Sequence, residues 1–147
     1  MEISIVEATE NDLISVLDLY RNVLDKGKPI LTIERANFIY KKMNQYPDYH
    51  LYIAKYNDEI IGSFALLIMD NLAHFGSPSA IVEDVVVSEN HQNKGVGKIM
   101  MEFAMEKAKS KGCYKMVLSS NVKRENAHRF YENLGFEKHG FSFVVEF

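Results

Sequence analysis

The sequence has no tryptophan, three prolines and a single cysteine in 147 residues. A lone thiol, Cys113, cannot close an internal disulfide, so nothing points to an oxidising compartment. No His or Glu stands at metal-ligand spacing from it, and the five histidines are scattered; no metal site is expected. A strong excess of charge is also missing, the formal net charge being -3. Nucleic-acid and membrane-surface binding both need a positive footprint, so neither partner is expected. The longest apolar run, around "IIGSFALLIM", is far too short to cross a bilayer. The opening "MEISIVEATEND" has neither a basic n-region nor an apolar h-region, so no signal peptide is expected and the reading is cytoplasmic. Repeats, low-complexity tracts and linkers are absent. Residues 1–147 read as one domain, long enough to bury a core without staples.

What is present alternates between two periods. Ile3 to Val6 read as a first strand, and Thr9 with Asp12 as a capped helix start. Leu13, Val16, Leu17, Tyr20 and Leu24 follow at helical spacing until Gly27 and Pro29. A second helix is expected from Thr32 to Asn44. "YHLYIAKY", "ND" and "EIIGSFALLIM" read as a hairpin. "AIVEDVVV" is a fourth strand. The next helix runs to about Lys111, with Val96, Ile99, Met100, Phe103, Ala104 and Ala108 on one stripe. "CYKMVLSSNV" reads as a fifth strand, "RENAHRFYENL" as a short helix, and "FEKHGFSFVVEF" as two closing strands. The order predicts an α+β fold with a mixed, mostly antiparallel central sheet flanked by helices.

Between the fourth strand and the following helix lies "QNKGVGK". A helix start offers unpaired N–H groups and the positive end of its dipole to an anion. Gly95 and Gly97 allow close backbone approach, while Lys94 and Lys98 add positive charge. The functional reading is a phosphate or pyrophosphate cradle; the bland one is a tight turn. The loop is not a P-loop, which needs G-x-x-x-x-G-K-[ST]. It is not a dinucleotide fingerprint either, because Met100 stands where the third glycine belongs.

Gln92-x-x-Gly95-x-Gly97, after a strand and opening a helix, resembles the Q/R-x-x-G-x-G/A motif of the GNAT acetyltransferase superfamily. "IVEDVVV" looks like that family's fourth strand, and "AHRFYENLGF" like its signature helix ending in Tyr-x-x-x-Gly-Phe. The element order fits along essentially the whole chain. "IVEDVVV" with "GCYKMVL" resembles glucosamine-6-phosphate N-acetyltransferases. "LSSNVKRENAHRFY", with "FSF", resembles aminoalkylphosphonate N-acetyltransferases. One position departs: Arg124 stands seven residues before Tyr131, where many members carry a cofactor-contacting Asn, leaving Asn126 or Asn121 to supply that contact.

The resemblance implies the acyl-CoA N-acyltransferase fold, with acetyl-CoA as cosubstrate and a sheet splayed between strands 4 and 5. Gln92, Asn93, Lys94, Gly95, Val96, Gly97 and Lys98 would then hold the pyrophosphate, and the N–H groups near Val85, Val86 and Val87 the pantetheine arm. Amine acetylation needs a base to deprotonate the attacking nitrogen, and Glu83 is the first candidate, Asp84 the second. Adjacent strand residues point to opposite faces unless a bulge intervenes. Tyr131, by analogy, protonates the leaving thiolate, although on spacing alone it is a core aromatic beside Ala127, Phe130 and Leu134.

Ser119, Asn121 and Arg124 are candidates for binding an acceptor anion, with a solvated helix start as the bland alternative. His74 is a candidate to line the acceptor pocket. The leading function is acetyl transfer to a small primary amine, with a phosphate- or phosphonate-bearing acceptor suggested. The alternatives are a protein N-terminal or lysine acetyltransferase, and a catalytically silent acyl-CoA sensor. A homodimer is left open, with "SFVVEF" as the expected pairing edge.

Overall fold

In a computed structural model, residues 2–147 are described. They form two compact units, 1–117 and 118–147. The first holds a five-stranded sheet in the order β1-β2-β3-β4-β5. Its strands are β1 (Ser4–Glu7), β2 (Tyr49–Tyr56), β3 (Glu59–Met69), β4 (Ser79–Val87) and β5 (Lys115–Val117). The first three pairings are antiparallel and β4–β5 is parallel, the mixed α+β sheet expected from the alternating pattern. The hairpin falls where its turn residues put it. Asn57 and Asp58 both have positive φ, 48° and 64°, as a two-residue type I′ turn demands.

Helix α1 (Leu13–Leu19) follows a single 3-10 turn, whose start is tied by the Thr9 N–H donating to the Asp12 carboxylate at 2.8 Å. It then widens into a π-helical turn, Tyr20–Leu24, where one regular helix was expected. Helix α2 (Ile33–Met43) is capped by Thr32, whose hydroxyl accepts from the Arg35 N–H at 3.3 Å. Leu13, Val16, Ala36, Leu51 and Ile53 close the core on this face of the sheet. On the other face Tyr52, Phe64 and Phe103 of helix α3 (Val96–Ser110) pack ring to ring, with centroids 5.1 to 6.5 Å apart. Leu19 and Met101 are buried too, although neither belonged to the expected stripes.

Gly62 marks the tightest approach in this core. A Cβ there would sit 2.8 Å from Met100 Sδ and 3.1 Å from the Val86 carbonyl oxygen.

The second unit holds helix α4 (Glu125–Asn133). The fifth strand is three residues long rather than ten, and the two closing strands expected after Gly135 do not form. The edge expected from "SFVVEF" is therefore not a strand in this chain.

Candidate active site

Strand β4 is interrupted where the two carboxylates stand. Ala65 pairs with Glu83 and Ser63 with Val86, so Phe64 alone faces both Asp84 and Val85. This is a β-bulge, and Asp84 carries its strain at a φ of 53°. Cross-strand partners share a face. Glu83 therefore lies on the face of Ala65 and Ser63, where the π-helical turn packs against β4. The bulge breaks the alternation that would otherwise send Asp84 to the opposite face. Both carboxylates act on Tyr49, raising its pKa after burial has done so first. Tyr20 is pushed up to about 12, by burial and then by the charge of Asp84, so it stays neutral.

The carboxylates respond in turn. Glu83 is raised first by burial and then by the neighbouring Asp84; Asp84 is raised by burial and by Asp25. Both remain open to solvent at the residue level, so these groups stand at the rim of the sheet face rather than inside it. Beside them Ser63 Oγ is fully buried without a well-formed hydrogen bond, close enough to Tyr20 to draw its pKa partly back.

The opposite edge of β4 opens just ahead of the bulge. β5 pairs with Ser79, Ala80 and Ile81 and ends at Val117. Val82 to Val87 continue without a first-unit partner on that side. The glycine loop follows directly. A 3-10 turn, Glu89–His91, leads to Gln92, whose Nε2 donates to the Val87 carbonyl at 3.0 Å. Lys26, just past the π-helical turn, pairs with Glu89. Asn93 and Gly95 have φ of 58° and 84°, and Gly95 is the N-cap of α3. No side chain caps that helix, so the first-turn N–H groups of Val96, Gly97 and Lys98 keep no intrahelical acceptor. Lys98 leans on Glu102 at 3.7 Å, while Lys94 is exposed. Uncapped amides at the positive end of a 15-residue helix, with lysines alongside, fit a diphosphate.

The second unit carries the remaining candidates. Tyr131 is half-buried on α4 with its ring against Phe130 and Phe136, at 5.1 and 5.7 Å. Burial raises its pKa, and the Arg124 guanidinium opposes the rise. Arg124, the N-cap, lines an open recess with Lys123, Glu125, Asn126 and Ala127. Asn126 Oδ1 accepts from Arg129, and Asn121 Oδ1 accepts from the Lys123 N–H at 2.9 Å. Ser119 Oγ donates to Ser142 Oγ at 3.1 Å. His74 stacks on Tyr114 at 4.2 Å. Among the described residues no three His, Cys, Asp or Glu side chains gather around a common point. Tyr20, Tyr49 and Ser63 escaped the sequence reading because each sits in an ordinary apolar pattern; only the tertiary fold brings them beside the bulge.

The profile of the Acetyltransferase (GNAT) family matches residues 15–136. The chain belongs to that family. It is an N-acetyltransferase, and GNAT enzymes take their acetyl group from acetyl-CoA. It is 32% identical over 139 residues to a glucosamine 6-phosphate N-acetyltransferase of Trypanosoma brucei brucei, covering 95% of this chain and 90% of that one. It is 33% identical over 98 residues to an aminoalkylphosphonate N-acetyltransferase of Salmonella typhimurium, covering 67% and 63%. A solved Agrobacterium tumefaciens protein assigned as an acetyltransferase superposes with a TM-score of 0.92 at 31% identity, over 97% of this chain and 99% of that one. No helix among the described residues is long and apolar enough to cross a membrane.

Proposed function

We propose that this acetyltransferase moves the acetyl group of acetyl-CoA onto the primary amine of a small molecule bearing a phosphate or phosphonate. The carrying observation is the bulge at Asp84, which falls within the run of β4 that β5 leaves unpaired, with the uncapped start of α3 just beyond. The acetyl thioester supplies an activated acyl group; the chain's own groups do the rest. The amides of Val96, Gly97 and Lys98 bind the diphosphate, aided by Lys94, while Gln92 and Asn93 shape the loop. The N–H groups of Val85, Val86 and Val87 hold the amide-rich arm, and one of them steadies the oxyanion, worth about 3 kcal/mol.

Glu83 takes the amine proton, directly or through water, and its raised pKa brings it nearer to the working pH. Asp84 raises the basicity of Glu83 and is the second candidate for the same task. Tyr131, neutral and half-buried, returns a proton to the leaving sulfur; this role rests on the family resemblance. Arg124, with Ser119 and Asn121, receives the acceptor's anion, a reading supported by the names of the two curated relatives.

Thiol release from acetyl-CoA, followed over amino-sugar phosphates, aminoalkylphosphonates, plain amines and peptides, tests this. Turnover highest on the phosphorus-bearing amines is expected, with Arg124→Ala raising their KM alone. Turnover on peptides only would make it a protein acetyltransferase. Background hydrolysis on every amine would make it a sensor.

A further inference from the structure

Glu83 and Asp84 stand together without a counter-charge. Among the described residues no lysine, arginine or histidine forms an ion pair with either of them. The nearest cations are spoken for: Lys28 pairs with Asp25 at 3.1 Å, and Lys26 pairs with Glu89. Neighbouring like charges are costly unless a cation joins them.

What surrounds the carboxylates is aromatic. Tyr49 pairs with Leu67 and Leu67 with Ile81, one row along from the Leu51, Ala65 and Glu83 row, so Tyr49 lies on the Glu83 face. Tyr46 braces its ring edge-on, with centroids 5.7 Å apart and planes at 81°. Tyr20 packs on the cluster of Leu51 and Ile53, which belongs to the same face. The charges of Glu83 and Asp84 both act on the Tyr49 hydroxyl, and the charge of Asp84 acts on Tyr20. Both phenols stay neutral, so neither answers the carboxylate charge. Ser63 shares this face too, paired with Val86 just past the bulge. It is 0% exposed, its Oγ lies close to Tyr20, and that oxygen has no hydrogen-bond partner. Buried hydroxyls in folded proteins are nearly always met, and the free lone pairs of this one suit an N–H donor.

We propose that the acceptor's amine enters as an ammonium ion and is held here by the Tyr49 ring, the two carboxylates and the Ser63 hydroxyl, so that Tyr49 selects cationic acceptors over neutral ones. A free alkylamine has a pKa near ~10, so the ammonium ion is the form that neutral water supplies. A cation over a tyrosine face gains from the ring quadrupole, and the carboxylates add to the attraction. The transfer step then balances. One N–H bond breaks, its proton passes to Glu83, and the electron pair left on nitrogen attacks the acetyl carbonyl. The inference rests on reading this face as the acceptor site, and it names the form in which the amine is taken.

Calorimetric titration of the full chain, loaded with CoA so that nothing turns over, is the test. Glucosamine 6-phosphate and glucose 6-phosphate differ at one position, an ammonium in place of a hydroxyl. The amine should bind about tenfold more tightly than the alcohol. Tyr49→Leu should narrow that gap about threefold by weakening the amine alone, and Tyr49→Phe, which keeps the ring, should preserve it. A damaged fold would weaken both ligands, so an unchanged affinity for the alcohol separates recognition from structure. Equal wild-type affinities overturn the proposal even if Tyr49→Leu fails to fold, and so does a gap that Tyr49→Leu leaves intact. Should neither sugar phosphate bind, 2-aminoethylphosphonate and 2-hydroxyethylphosphonate serve as the pair, with the same outcomes. An amine that is acetylated yet binds no better than its alcohol sinks this inference alone. If no amine is acetylated, the acceptor reading falls and takes this inference with it.

Discussion

At the residue scale, the bulge sets where the two carboxylates stand. Glu83 and Asp84 are neighbours in sequence, and a regular strand would part them. The left-handed turn at Asp84 keeps both on the face that carries Tyr20, Tyr49 and Ser63. Burial first and then the charge of Asp84 lift Glu83, so its proton is lost at a higher pH than from an ordinary carboxyl. A base must be deprotonated, so kcat/KM should fall as pH drops through that raised value. Asp84→Asn removes the second cause of the rise and should move the acid limb to lower pH. Glu83→Gln should abolish the limb and cost about 10²–10⁴ in kcat, with acetyl-CoA affinity retained in a calorimetric titration. An acid limb that survives in Glu83→Gln would assign the proton to another group.

Tyr131→Phe removes one hydroxyl from a packed aromatic cluster and should leave the fold intact. Turnover should fall at least tenfold while acetyl-CoA still binds; unchanged turnover on the true acceptor would refute the acid role.

At the element scale, what was legible in the sequence was local. The β2–β3 hairpin was readable to the residue because Asn57-Asp58 sits between two strand-period runs, and that chemistry needs no partner from elsewhere. The start of α3 was readable because Gly95 interrupts the pattern at the position that needs positive φ. The π-helical turn at Tyr20–Leu24 was not, because its apolar spacing continues that of α1, and the β4 it packs against lies far along the chain. Nor was the position of the bulge, which changes the pairing with β3 and leaves no mark in "VEDVVV". The closing strands were read from β-prone composition, yet a strand exists only where another strand pairs with it.

The start of α3 also carries the element-scale prediction. Gly95 meets no atom within 4 Å of an added Cβ, so its requirement is conformational alone. Gly95→Ala should cost about 1 kcal/mol of stability through its φ of 84°. It should also weaken acetyl-CoA binding, by shifting the amides of the first turn, more than it weakens acceptor binding. Equal affinities for acetyl-CoA before and after the change would remove the loop from the donor site.

At the scale of the whole molecule, the family match from 15 to 136 runs through both compact units, 1–117 and 118–147. We expect them to melt as one domain, in a single calorimetric transition whose measured and van't Hoff enthalpies agree. Two resolved transitions would divide the chain in two.

The tight turn at Asn57-Asp58 has a kinetic consequence as well. It joins the neighbouring strands β2 and β3 at the lowest loop-closure cost available to a hairpin, whereas the parallel β4–β5 pairing must wait for the α3 crossover. Folding should therefore nucleate at this hairpin and finish at the splayed side of the sheet. Asp58→Gly, which relieves a φ of 64°, should speed refolding in stopped-flow mixing by about fivefold and leave unfolding nearly unchanged. If the gain appeared in the unfolding limb instead, the nucleus would lie elsewhere. With the hairpin as nucleus, the splayed side of the sheet, where both substrates are proposed to bind, is the last to assemble.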